Sequence, residues 1–133
     1  MMKLSDVRDW VKTKTNWTDA IFIGKIDRTQ EKGLCVYSRA LRSGQNIASG
    51  GLTNTKSATK TVHILIRYGK LANIAEAKAQ QVFSALLGVT NVTIAGTKVA
   101  MIRLSSQEPI SLDTDEDGVY EYLIEMDIVH ERT

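Results

Sequence analysis

Asp113-Thr114-Asp115-Glu116-Asp117-Gly118 is the densest run of chemically capable side chains in the 133 residues. Carboxylates at alternate positions followed by glycine match the opening of a calcium loop. There the oxygens wrap a hard cation and the glycine permits the turn. The rest of such a loop does not follow. Its twelfth position, where a bidentate glutamate belongs, is Ile124, and Glu121 and Glu125 straddle it. Both flanks read as strands, where a calcium loop has helices. Asp113, Asp115 and Asp117 thus stand as candidate cation ligands beside a plainer reading, the soluble tip of a hairpin.

The other reactive residue types are sparse. His63 and His130 share no spacing that a metal site would use. Cys35, the single cysteine, meets a histidine only if the fold brings one to it, and no local nucleophile signature surrounds it. A buried structural thiol is its expected role. One cysteine also excludes an internal disulfide framework and a multi-cysteine zinc site. Phosphate-loop, dinucleotide, nucleophile-elbow and zinc-protease motifs are missing from the sequence. Nothing in it supports catalysis or a bound cofactor. Arg39, Arg42, Lys56 and Lys60 bracket a polar segment and are candidate phosphate contacts. Of the aromatics that stack on bases, only Tyr37 lies near them.

These residues need elements to hold them. Ser5 as N-cap and an apolar stripe of Leu4, Val7, Trp10 and Val11 predict a helix over 5–15. Residues 20–27 and 33–40 read as strands joined by a short polar link, so an antiparallel hairpin is expected. Residues 41–59 are rich in Ser, Thr, Asn and Gly without a sustained period, and read as a long flexible loop. Residues 60–68 form the clearest central strand, with Val62, Ile64, Ile66 and Tyr68 on one face. Asn73 as N-cap, a stripe of Ala75, Ala79, Val82, Phe83 and Leu86, and Gly88 beyond the end predict a helix to about Leu87. Residues 92–95 and 98–104 flank a tight turn at Gly96-Thr97. Pro109 marks an edge. Residues 119–130 alternate sharply, with Tyr120, Tyr122, Ile124, Met126 and Ile128 inward. The order α–β–β–loop–β–α–β–β–(β)–β implies an α+β fold, a mostly antiparallel β-sheet with two helices packed on one face.

Length and composition fit one ordinary domain spanning 1–133. With 43% apolar and 24% charged residues the chain is no disordered segment. No apolar run approaches the roughly 20 residues of a membrane helix, and the N-terminus lacks the apolar core of a signal peptide. A soluble, cytoplasmic domain is expected. The net charge of +2 hides an asymmetry. Residues 1–60 carry eleven Lys or Arg against five Asp or Glu, and residues 61–104 carry five against one. Residues 105–133 carry nine acidic residues against Arg132 alone. Such a split suits pairing within the fold or between copies.

The whole pattern resembles the tail terminator proteins of long-tailed bacteriophages, also labelled minor capsid or head–tail joining proteins. The short N-terminal helix carries it, with the segment GKIDRTQEKGLCVYSR and the strand VHILIRYGK leading into AEAKAQQVFSALLG. So do Glu108-Pro109-Ile110-Ser111-Leu112 and the final DEDGVYEYLIEMDIVHER. The resemblance implies a structural virion protein, not an enzyme, made in the bacterial cytoplasm. It implies a homo-oligomeric, hexameric ring at the head-proximal end of the tail tube, which stops tube growth and presents a surface to the head connector or completion protein. Its partners would be itself, the tail tube protein and the connector, with DNA traversing the lumen and no membrane or cofactor involved. A ring needs two different complementary patches on each subunit. Glu121, Glu125 and Asp127 on the last strand, and Arg39, Arg42 and Lys56 around the long loop, are the candidates for them. Two alternatives stay open: a nucleic-acid-binding module acting through 41–59, and a calcium-binding module.

Overall fold

Two long strands set the architecture. The structure, a computed structural model, describes residues 2–38 and 56–132. In chain order they form α1 (Leu4–Thr15), β1 (Ala20–Ile23), β2 (Lys32–Tyr37), β3 (Ser57–Tyr68), α2 (Ala72–Leu86), β4 (Thr90–Ile94), β5 (Thr97–Leu104), β6 (Ile110–Thr114) and β7 (Tyr120–Glu131). β3 and β7 pair antiparallel, with Val62 opposite Met126, Ile64 opposite Ile124 and Ile66 opposite Tyr122. Directly opposed residues share a face, so these six side chains form one buried apolar surface.

The sheet runs β1-β2-β3-β7-β5-β4, and β6 adds to β7. β5 pairs with the second half of β7, and β6 with the first. Both helices lie on the Ile64–Ile124 face. α2 packs on β3 and β7, whereas α1 touches α2, β1, β2 and also β4. Because β1 and β4 end the strand order on opposite sides, a helix that touches both requires the sheet to curl around the helix pair. The expected α+β arrangement, a mostly antiparallel sheet with helices on one face, is what the chain adopts.

α2 buries Ala75, Ala79, Val82, Phe83 and Leu86, the stripe expected from its spacing. Ala75 and Ala79 are fully buried, so their small side chains let the helix lie close on the sheet. Its start differs from expectation. Leu71 is the N-cap and Asn73 sits inside the first turn. The chain is already fixed just before it, because the Gly69 N–H donates to the Glu31 carbonyl (2.8 Å) and its carbonyl accepts from the Tyr120 N–H (2.9 Å). α1 shows the same kind of shift. Lys3, not Ser5, is its N-cap, because the Asp6 carboxylate accepts the Lys3 N–H at 2.8 Å and sets the boundary three residues upstream.

The expected hairpin between the first two strands is corrected: β1 and β2 run parallel, with Ala20 opposite Gly33 and Ile23 opposite Val36. A parallel crossover ordinarily needs a dozen residues or more. Here β1 is only four residues long, so residues 24–31 suffice to carry the chain back along the sheet. The return passes over the face away from the helices. There Phe22 and Ile26 approach so closely that a Cβ on Gly33 would lie 3.2 and 3.7 Å from them.

Other boundaries moved for local reasons. The β4–β5 turn is Ala95-Gly96 and not Gly96-Thr97, because both turn residues adopt positive φ (51° and 79°), the two-residue hairpin geometry. β3 begins at Ser57, so residues 57–59 of the expected loop are strand. The rest of 41–59, apart from exposed Lys56, lies outside the described residues, as do Arg39 and Arg42.

Candidate functional site

The chemically dense residues gather on the sheet face away from the helices, where an arginine is buried. Arg67 sits near the end of β3 and is 1% exposed. Alternation points it away from the helices, since its neighbours Ile66 and Tyr68 face them. Its guanidinium is held on several sides. Nη1 donates to Asp115 Oδ2 and to Glu121 Oε2, the latter at 3.3 Å. Nε donates to the Gln30 carbonyl and Nη2 to the Arg28 carbonyl, each at 3.3 Å. Arg28 adds its own Nη1, 2.9 Å from Glu121 Oε2 and 3.6 Å from Asp115 Oδ2. The β1–β2 link, β3, β7 and the acidic turn thus meet at two cations and two carboxylates.

Asp115 also organises its own turn. Its Oδ1 accepts the N–H groups of Asp117 (2.9 Å) and Val119 (3.0 Å), and Gly118 takes the positive φ that closes the loop. The Arg67 bond above all, helped by these backbone donors and opposed by desolvation, brings the Asp115 pKa down to about 2. Burial works against the Arg67 charge, but the bonds to Asp115 and Glu121 outweigh it and raise its pKa. Asp115 and Arg67 each hold the other in its charged form at neutral pH. The cluster fastens a turn to a sheet.

The D-x-D-x-D-G run is therefore not assembled as a cation cage. Asp115 turns inward to Arg67, and Asp113 and Asp117 are exposed. Among the described residues no group of three His, Cys, Asp or Glu is placed to hold a metal. The other candidates are dispersed. Glu121 is buried in the cluster, while Asp127 accepts the Thr61 hydroxyl (2.8 Å) and lies 3.6 Å from Arg103 Nη2. Glu125 stands half-buried opposite His63. Lys56 is exposed, and its carbonyl accepts the Arg132 N–H (2.9 Å). Lys60 points to the helix side opposite Ile128. His130 is remote from Cys35, on the far half of β7. Cys35 and His63 share the outer face at diagonal positions across β2 and β3. The thiol, however, bonds to the Val36 carbonyl (3.9 Å) and burial raises its pKa, the reverse of nucleophile activation.

Arg28 and Arg67 are the site residues that sequence reading missed. An arginine amid Leu65, Ile66 and Tyr68 in a central strand was the available signal, since a buried guanidinium requires carboxylates.

The comparisons with known proteins point to a structural role. The family model described as bacteriophage tail terminator protein matches residues 4–132. The chain belongs to the bacteriophage tail terminator family. It is accordingly a structural component of a phage tail, in a family of virion proteins. A search of curated proteins returns no match. Among solved structures, the tail terminator chain shares its fold with a chain from the structure titled "Virion of native gene transfer agent (GTA) particle". The TM-score is 0.59 at 10% identity, covering 92% of this chain and 84% of that one.

Proposed function

We propose that this tail terminator forms a closed homo-oligomeric ring, a hexamer, on the head-proximal end of the tail tube. It stops addition of tube subunits there and offers the head connector or completion protein its docking surface, with DNA passing through the lumen. The observation that carries this reading is the family match across residues 4–132. The ionic cluster, which fastens the acidic turn to the sheet, suits a protein that acts by shape. Of the outer β7 carboxylates, Glu121 and Asp127 have partners within the chain, which leaves Glu125 with Lys56 as contact candidates from the original set. Arg39 and Arg42, outside the described residues, stay contact candidates on the sequence alone.

Light scattering coupled to size exclusion, on the purified chain with and without tail tubes, tests the ring. A concentration-dependent species near six chains is expected. A strict monomer under both conditions would reject it.

A further inference from the structure

Among the charges left over after internal pairing, two groups of opposite sign lie at one end of the sheet, on opposite sides of it. Consecutive residues divide them. Arg67 points outward and fastens the acidic turn, whereas Tyr68 points to the helix side and carries lysines. Lys32 and Lys78 place their ammonium groups 5.1 and 5.4 Å from the Tyr68 ring centroid, and Lys78 also lies 5.0 Å from that of Trp17. Neither lysine makes an ion pair among the described residues. Beside them the chain enters α2 through Leu71, 61% exposed, and Ile74, 46% exposed. On the other side, Glu116 and Asp117 are exposed and likewise without ion pairs, next to Leu112, 44% exposed on β6.

The sheet stands between these patches, so within one chain they do not meet. Each combines an exposed apolar anchor with an excess of one charge, Lys32 and Lys78 against the Asp19 carboxylate bonded to Tyr68 on one side and Glu116 with Asp117 on the other. Two unlike, complementary surfaces are what a head-to-tail contact between copies requires. The geometry points to a second copy of this chain as the occupant: Glu116 and Asp117 of one subunit dock beside Lys32 and Lys78 of the next, and Leu112 seats against Leu71 and Ile74. The contact rests on the ring reading and deepens it. It also reassigns the acidic surface. The partner-facing carboxylates are those of the turn, not Glu121 and Asp127, which are spent on internal arginines.

Two charge-reversed chains test the contact. One carries Lys32→Glu with Lys78→Glu, the other Glu116→Lys with Asp117→Lys. Each alone faces like with like and is expected to assemble at least about tenfold more weakly than the unaltered chain. Mixed in equal amounts they present opposite charges at every junction, so assembly is expected to return. Circular dichroism melts, with the neutral Lys32→Gln, Lys78→Gln and Glu116→Gln, Asp117→Asn pairs as milder versions, separate misfolding from lost contact. If the unaltered chain forms rings and both reversed chains form them equally well, this surface is wrong and the ring stands. If well-folded variants are weakened and mixing restores nothing, the pairing of these two patches is likewise wrong. If the unaltered chain never associates, even with tail tubes, the ring reading fails and the contact with it.

Discussion

An arginine 1% exposed in a central strand is sustained by the carboxylates and carbonyls that converge on it. Replacing Arg67 by methionine strands Glu121 and Asp115 with only half-exposed Arg28, and we expect a loss of about 3 kcal/mol in urea unfolding. Asp115 gives the cluster an acid limit. Its ordinary pKa of 3.8 falls to about 2 in the folded chain. Between those values the unfolded chain holds a proton that the folded chain does not. The contribution is therefore full above about pH 4 and is lost as pH falls toward 2. Denaturation midpoints measured from pH 5 to 2 should show a shallower acid slope in Asp115→Asn than in the unaltered chain. Burial leaves the Cys35 thiol protonated at neutral pH, so a thiol reagent should label it rapidly only after unfolding.

The elements follow from periodicity where burial is one-sided. β7 and α2 were legible because each turns one apolar face to the same core, and the inward residues Tyr122, Ile124, Met126 and Ile128 lie where alternation places them. Ile124→Ala should cost about 2–5 kcal/mol, since the residue is fully buried at the centre of the β3–β7 pair. Ala79→Leu should cost about 1–3 kcal/mol by forcing α2 off the sheet. Chemical denaturation of both variants checks these values. What sequence left hidden is what depends on distant parts. The parallel β1–β2 pairing rests on the return path over Gly33, and neither helix N-cap was the polar residue expected. The link between Arg67 and Asp115 spans 48 residues, beyond the reach of any local pattern.

At the scale of the whole molecule, the charge asymmetry resolves into two parts. Arg28, Arg67 and Arg103 from the basic blocks neutralise Glu121, Asp115 and Asp127 from the acidic one, within the chain. Among the charges outside these pairs are the exposed carboxylates of the acidic turn and the lysines around Tyr68. Salt should therefore discriminate: raising ionic strength from 0.05 to 0.5 M is expected to weaken self-association while leaving the buried cluster and the melting temperature nearly unchanged, on the order of the screening of exposed pairs. Family membership makes the chain a structural tail protein, and the ring we propose supplies a mechanism for that role, because a subunit ring that fits the tube end and offers it no further tube-like surface halts growth. The most direct measurement is electron microscopy of tails assembled with and without this chain. The account predicts tubes of uniform length when it is present and overlong, headless tubes when it is omitted. Tails of normal length that join heads without it would contradict the account.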